Sequence, residues 1–427
     1  MQLLSKIYSP LNITLVDQGI VSLVNFLVSV LLVRFLGIEA FGVYSLLWMS
    51  ILFLQSLQTA IIITPMMTIG SKQLSKDKTR YQGAVISHQI LFSVASSIIL
   101  YVAIVISNFV VPQWGIINYA FSLSLVSFLS QNQDFLRRLF FLEGRTITAL
   151  VNDSICYIGR LLVLFVVFIS SEPSLKSVFS VMLITLFLSV SLGIMKLSKT
   201  TFDYKYNIEV FKRHWKMSNW LTGSALLMWF SGNYFVVAAA AMLGPAAVGV
   251  LRASGNIIGI FNVLFLGLEN IIPQSFSKHY LLTGSSGLRS YLMKVVFIGG
   301  ALITLALILL SFFSEPLIIA IYGEEYAGNG YVLIWYCVVS IFQYLLIPFN
   351  IGLRTLENTK PQFVSQVLTM IFSVVTANFL ISNFELNGIL FGMLVNQLIM
   401  LCVAVVFFFK TLRQVVVDEK GINSGEL

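Results

Sequence analysis

Phe35-Leu36-Gly37-Ile38-Glu39-Ala40-Phe41-Gly42-Val43 returns in degenerate form as Met242-Leu243-Gly244-Pro245-Ala246-Ala247-Val248-Gly249-Val250, 207 residues later. Each copy follows a long apolar run, residues 13–33 in one case and 219–241 in the other. Pro65 and Pro273 close the next apolar run of each half at an offset of 208. Leu142-Glu143-Gly144 is matched by Leu356-Glu357-Asn358 at an offset of 214. Three correspondences at nearly constant spacing define an internal repeat, and a repeat decides the fold before any single element does.

The repeated unit lies in an apolar chain. Of the 427 residues 58% are apolar and 10% charged, where globular proteins carry about 25% charged residues. The mean hydropathy is +0.91. Too few polar groups exist to coat a soluble globule of this size, which excludes an ordinary soluble enzyme, a disordered chain and a secreted disulfide scaffold. Twelve apolar runs are long enough for membrane helices: about 13–33, 41–68, 83–108, 116–135, 147–169, 178–195, 219–241, 249–273, 294–313, 331–351, 361–382 and 388–409. The roughly ten-residue alternation of a membrane barrel is absent. Six runs per half is an even number, so both halves enter the bilayer in the same sense, as a parallel repeat. The expected fold is an all-α polytopic protein of about twelve transmembrane helices in two six-helix lobes. The expected boundaries are 1–200 for the first lobe, 201–218 for a cytoplasmic linker, 219–410 for the second lobe and 411–427 for a tail.

The net charge of +8 is a topology signal rather than a nucleic-acid signal. With the N-terminus inside, 22 of the 26 basic residues fall in inside loops, among them Lys72, Arg80, Arg137, Arg138, Lys212, Arg289, Arg354 and Arg413. The positive-inside rule then places both termini in the cytoplasm. Cys156, Cys337 and Cys402 sit singly in apolar runs, and His88, His214 and His279 are scattered, so neither a disulfide framework nor a metal site is expected. Phosphate-loop, HExxH and nucleophile-elbow signatures are absent, and no cofactor is expected.

Polar residues inside the spans form stripes at helical spacing: Gln18, Ser22, Asn25 and Ser29; Ser124, Ser127, Gln131, Asp134 and Arg138; Arg252, Gly255, Gly259, Asn262 and Glu269; Gln362, Gln366, Thr369, Ser373 and Thr376. Lipid satisfies none of them, so they face other helices or a wet cavity, and the cavity reading gains where charges join the stripe. Arg160 and Arg252, with Asn25, Gln55, Asn262 and Gln366, are candidate substrate contacts. Asp17, Asp153, Glu269 and Asp134 are candidate carriers of H+ or Na+. A charge at the bilayer centre costs about 2.5–3.5 kcal/mol on insertion scales, which makes each a functional candidate. Asp153 lies two turns before Arg160, and the bland reading pairs the two.

Val33 to Tyr44, Asp134-Phe135-Leu136-Arg137-Arg138-Leu139-Phe140-Phe141-Leu142-Glu143-Gly144-Arg145 and Pro316-Leu317-Ile318-Ile319-Ala320-Ile321-Tyr322-Gly323-Glu324-Glu325-Tyr326 resemble corresponding segments of the polysaccharide-biosynthesis flippases. These belong to the multidrug/oligosaccharidyl-lipid/polysaccharide (MOP) exporter superfamily, and the resemblance runs over essentially the whole chain. It implies a MATE-like, non-enzymatic transporter of the bacterial inner membrane that flips polyprenyl-pyrophosphate-linked oligosaccharides for O-antigen, exopolysaccharide or capsule synthesis. Two lobes would then alternate access to a polar lumen, with membrane lipids and the polysaccharide polymerase and chain-length machinery as partners and no nucleic acid. Arg160 and Arg252 would bind phosphate, and Trp229 and Tyr234 would stack on sugars unless they serve packing. The alternative is a cation-coupled multidrug or metabolite antiporter of the same fold, kept open by Asp17 and Asp153.

Overall fold

The computed structural model describes residues 10–72 and 77–424. The side chains of 262–264, 266, 267, 269–271 and 417–424, and those of a few residues before Asp17, lie outside that description. The described residues contain helices and no strand. The helices are α1 (Pro10–Gln58), α2 (Thr64–Gly70), α3 (Lys78–Val110), α4 (Ala120–Leu142), α5 (Thr146–Ser170), α6 (Leu175–Met195), α7 (Tyr204–Leu243), α8 (Pro245–Lys294), α9 (Gly300–Phe312), α10 (Ser314–Tyr322), α11 (Gly330–Thr355) and α12 (Lys360–Ser424). Non-helical backbone interrupts α1 at Gly37, α8 at Gly284 and α12 at Glu385.

Eight helical segments of the described residues are long and apolar enough to cross a membrane. The breaks at Gly37 and Glu385 divide two of these. The shorter apolar helix Pro245–Phe261 and the polar α4 each add a crossing, which gives the twelve expected. Leu91, Phe109, Phe121 and Val375 are each more than 70% exposed. A belt of large exposed apolar side chains has no place in water and is what lipid requires. The chain is a multi-pass membrane protein.

The repeat is written into the backbone. Gly37 (φ 78°, ψ 173°) and Gly244 (φ 87°, ψ −179°) hold the same left-side conformation at paired positions. Only glycine enters it without a Cβ penalty. The third correspondence holds with its register moved by one. Glu143, Gly144 and Arg145 donate their amides to Leu139, Phe141 and Phe140. Leu356, Glu357 and Asn358 donate in the same pattern to Gly352, Arg354 and Leu353. Gly144 (φ 73°) thus matches Glu357 (φ 57°) at an offset of 213, not 214. Backbone geometry, not residue identity, aligns these two helix ends.

Contacts divide the chain into two compact units, Met1–Trp229 and Phe230–Leu427. In unit 1, α4 is wrapped by α3, α5 and α6 and buries Ser124, Ser127, Ser130, Gln131, Gln133 and Arg137. So polar a helix is stable in a membrane only where neighbouring helices satisfy it. The expected linker is helical from Tyr204 onward. Val210, His214 and Ser218 are buried, with Tyr81 Oη 2.9 Å from His214 Nε2 and Ser218 Oγ donating to the Ile61 carbonyl at 3.0 Å. The segment ahead of α7 crosses α3 at Gly83, where an added Cβ would penetrate the Thr201 carbonyl. Arg80 pairs with Asp203 across the same crossing and holds that carboxyl below the usual carboxylate range by its hydrogen bond. Gly83→Ala is expected to lose about 1–3 kcal/mol, read as a lower unfolding temperature in detergent. In unit 2 the core joins Phe276, Leu288, Leu292, Tyr344 and Phe408.

Candidate functional site

The two faces of α4 do different things. Positions 131 and 133 point about 200° apart on a helix. On one face Gln131 Nε2 donates to Ser127 Oγ at 2.9 Å, and Ser96 Oγ donates to Gln131 Oε1 at 2.9 Å. Gln58 Nε2 donates to Gln89 Oε1 at 3.0 Å and to the Gln131 carbonyl at 2.8 Å. This half of the expected stripe therefore binds α1 and α3 to α4. Gln131 is bonded on both its amide atoms, whereas Gln58 Oε1 and Gln89 Nε2 stay buried without a partner.

The other face carries Gln133 and Arg137, one turn apart. Arg137 Nη2 lies 3.0 Å from Asp17 Oδ2 of α1, and Arg137 Nε lies 2.7 Å from Asp153 Oδ2 of α5. The second approach is an ion-pair contact whose angle falls outside hydrogen-bond geometry. Gln133 Nε2 donates to Asp153 Oδ1 at 2.7 Å. Asp17 and Asp153 are 0% exposed and Arg137 8%. Asp17 Oδ1 is buried without a hydrogen-bond partner. Two carboxylates on one guanidinium leave a formal charge of −1, and an uncompensated buried charge is expensive. Arg137 Nη2 also donates to Gln18 Oε1 at 3.1 Å. Gln18 is exposed and begins the stripe of α1, in which Asn25 is exposed too. One side chain thus separates the buried cluster from an accessible polar track.

Arg160 does not pair with Asp153, because Arg137 takes that carboxylate. Arg160 is 4% exposed. Its Nη2 lies 3.5 Å from Cys156 Sγ, and its guanidinium sits 5.5 Å from the Tyr157 ring centroid. Its Nε has no partner, and no described carboxylate lies within 4 Å of it. It is about 10 Å along α5 from Asp153, at 1.5 Å per residue. In unit 2, Arg252 Nη2 donates to Asn233 Oδ1 at 3.0 Å, and its Nε is buried without a partner.

The remaining candidates are scattered. Asp134 is part-exposed, stands apart from the buried cluster, and pairs with Arg138 at 3.5 Å on its own helix. Gln55 and Gln366 are half-buried, and their carbonyls accept from Thr59 and Thr369. Ser373 and Asn396 bond each other across α12 at 2.9 Å. Trp229 packs on Phe53 at 4.8 Å between ring centroids. The side chains of Asn262 and Glu269 lie outside the described residues. Among the described residues, no cluster of three or more His, Cys, Asp or Glu is placed to hold a metal ion.

Solved structures of membrane transporters share this fold. The structure of the lipid II flippase MurJ in an inward closed conformation superposes with a TM-score of 0.67 at 13% identity, over 96% of this chain and 92% of that one. An outward-facing multidrug-resistance MATE transporter of the MOP superfamily matches at 0.60 and 14%, over 94% and 93%. A point mutant of the Vibrio cholerae MATE transporter VcmN matches at 0.57 and 15%, over 93% and 94%. No family model and no curated protein matches the sequence. The chain shares the fold of these structures.

Proposed function

We propose that this protein is a flippase for polyprenyl-pyrophosphate-linked oligosaccharides, acting in a bacterial inner membrane with both termini in the cytoplasm and serving surface-polysaccharide synthesis. The observation that carries the reading is Arg160, a buried guanidinium without a carboxylate partner among the described residues. A desolvated arginine left unneutralised by its own protein suits a phosphate-bearing cargo, which it meets with charge-assisted, bidentate hydrogen bonds. Arg252 in the second half, half-buried and bonded to Asn233, likewise has no described carboxylate within 4 Å. The likeness to a lipid II flippase over nearly the full length is consistent with a lipid-linked cargo.

Asp17, Asp153 and Arg137 take the coupling role. The surplus charge of −1 is neutralised when one carboxylate binds H+ or Na+, and Gln18 links the cluster to the accessible face of α1. The same cluster favours the second reading, a cation-coupled antiporter of small molecules. Deletion of the gene followed by glycan analysis tests the first reading. Loss of surface polysaccharide with build-up of the lipid-linked repeat unit is expected; unchanged polysaccharide with no build-up contradicts it. In the complemented strain Arg160→Ala abolishes export and Arg160→Lys retains part of it, at equal protein levels. Normal export by the alanine variant removes Arg160 from the mechanism.

A further inference from the structure

A second basic feature lies in unit 2, outside the groups assigned above. The helix that restarts after Gly284 and the second half of α12 enclose a cleft of about 790 Å³. Arg289, Ser286 and Ser290 line it from one helix, and Arg413, Phe409 and Leu412 from the other. Both arginines are exposed. Neither has a described carboxylate within 4 Å. The Arg289 guanidinium sits 5.9 Å from the centroid of the Phe409 ring, which fixes it at the cleft. The first turn after Gly284 also opens here through Ser285 and Ser286, and the amides of a first helical turn favour an anion.

We infer that this cleft is a binding site for the phosphate of an anionic membrane lipid. Two guanidiniums, serine hydroxyls and a helix start recognise a phosphate by charge and by hydrogen bonds. The apolar wall of Phe409, Leu412, Met293 and Val416 selects a phosphate that carries acyl chains over a free one. The distribution of basic residues assigns this end of the helices to the cytoplasmic face, where anionic headgroups attract arginine. The site is independent of the cargo and holds for either transport reading.

The test is native mass spectrometry of the full chain in detergent, titrated with phosphatidylglycerol, with phosphatidylcholine, and with inorganic phosphate as competitor. The wild type is expected to bind phosphatidylglycerol in preference to phosphatidylcholine, with millimolar inorganic phosphate failing to displace it. The double variant Arg289→Gln/Arg413→Gln is expected to weaken phosphatidylglycerol binding about tenfold or more and to leave phosphatidylcholine unchanged. Arg289→Lys/Arg413→Lys keeps the charge without the fork and falls between, while Lys278→Gln binds as the wild type. Equal binding of phosphatidylglycerol by the glutamine variant and the wild type overturns the site. Displacement by inorganic phosphate overturns the lipid assignment and makes it a soluble-anion site.

Discussion

Arg137→Met is expected to destabilise the first unit by about 3–5 kcal/mol, the cost of breaking a buried ion pair from one side. The substitution leaves Asp17 and Asp153 facing each other at 0% exposure with no cation between them. Thermal unfolding in detergent and the amount of protein in the membrane are the readouts. A rescue separates charge from shape. The triple variant Arg137→Met/Asp17→Asn/Asp153→Asn carries no buried charge at this site and is expected to regain most of the lost stability, since neutral replacement of a buried ion cluster costs little. If the triple variant is as unstable as Arg137→Met, the packing of the arginine stem, and not the two carboxylates, sets the cost.

Asp17→Asn is expected to do the opposite, sparing the fold and damaging the work. One guanidinium then faces one carboxylate, and the surplus charge of −1 is gone. The unfolding temperature stays within a few degrees of the wild type. Transport driven by an imposed H+ or Na+ gradient falls by about tenfold or more, within the range of measured coupling free energies between sites. Exchange without a gradient persists. Proteoliposomes with and without the gradient make the distinction. A variant that still responds fully to the gradient moves coupling away from Asp17.

The reach of the sequence differs between fold and site for physical reasons. The glycine pair 37 and 244 was legible because a left-side backbone position leaves a residue signature. The helix ends at 144 and 357 share geometry but not residue type, so the alignment slipped by one position. Asp17 and Asp153 were legible as charges that lipid cannot hold. Arg137 was not. Apolarity fades after Phe135, so Arg137 reads as one more inside-loop charge, whereas α4 runs on to Leu142 and buries it. The available clue was Gln133 and Arg137 at i and i+4, with two unpartnered carboxylates elsewhere. Long-range pairing, 120 residues apart for Arg137 and Asp17, is what a local pattern cannot carry. The same limit assigned Asp134 to a wet stripe, although it closes a local pair with Arg138.

The most direct test of the central claim is movement of the cargo itself. Purified protein is reconstituted into vesicles containing a polyprenyl-pyrophosphate-linked oligosaccharide, and a glycosidase added outside reports the fraction of sugar within its reach over time. A flippase brings the inner-leaflet pool to the enzyme, and Arg160→Ala does not. An inner pool that stays protected, in vesicles that exchange a cationic dye for protons, contradicts the flippase and establishes the antiporter.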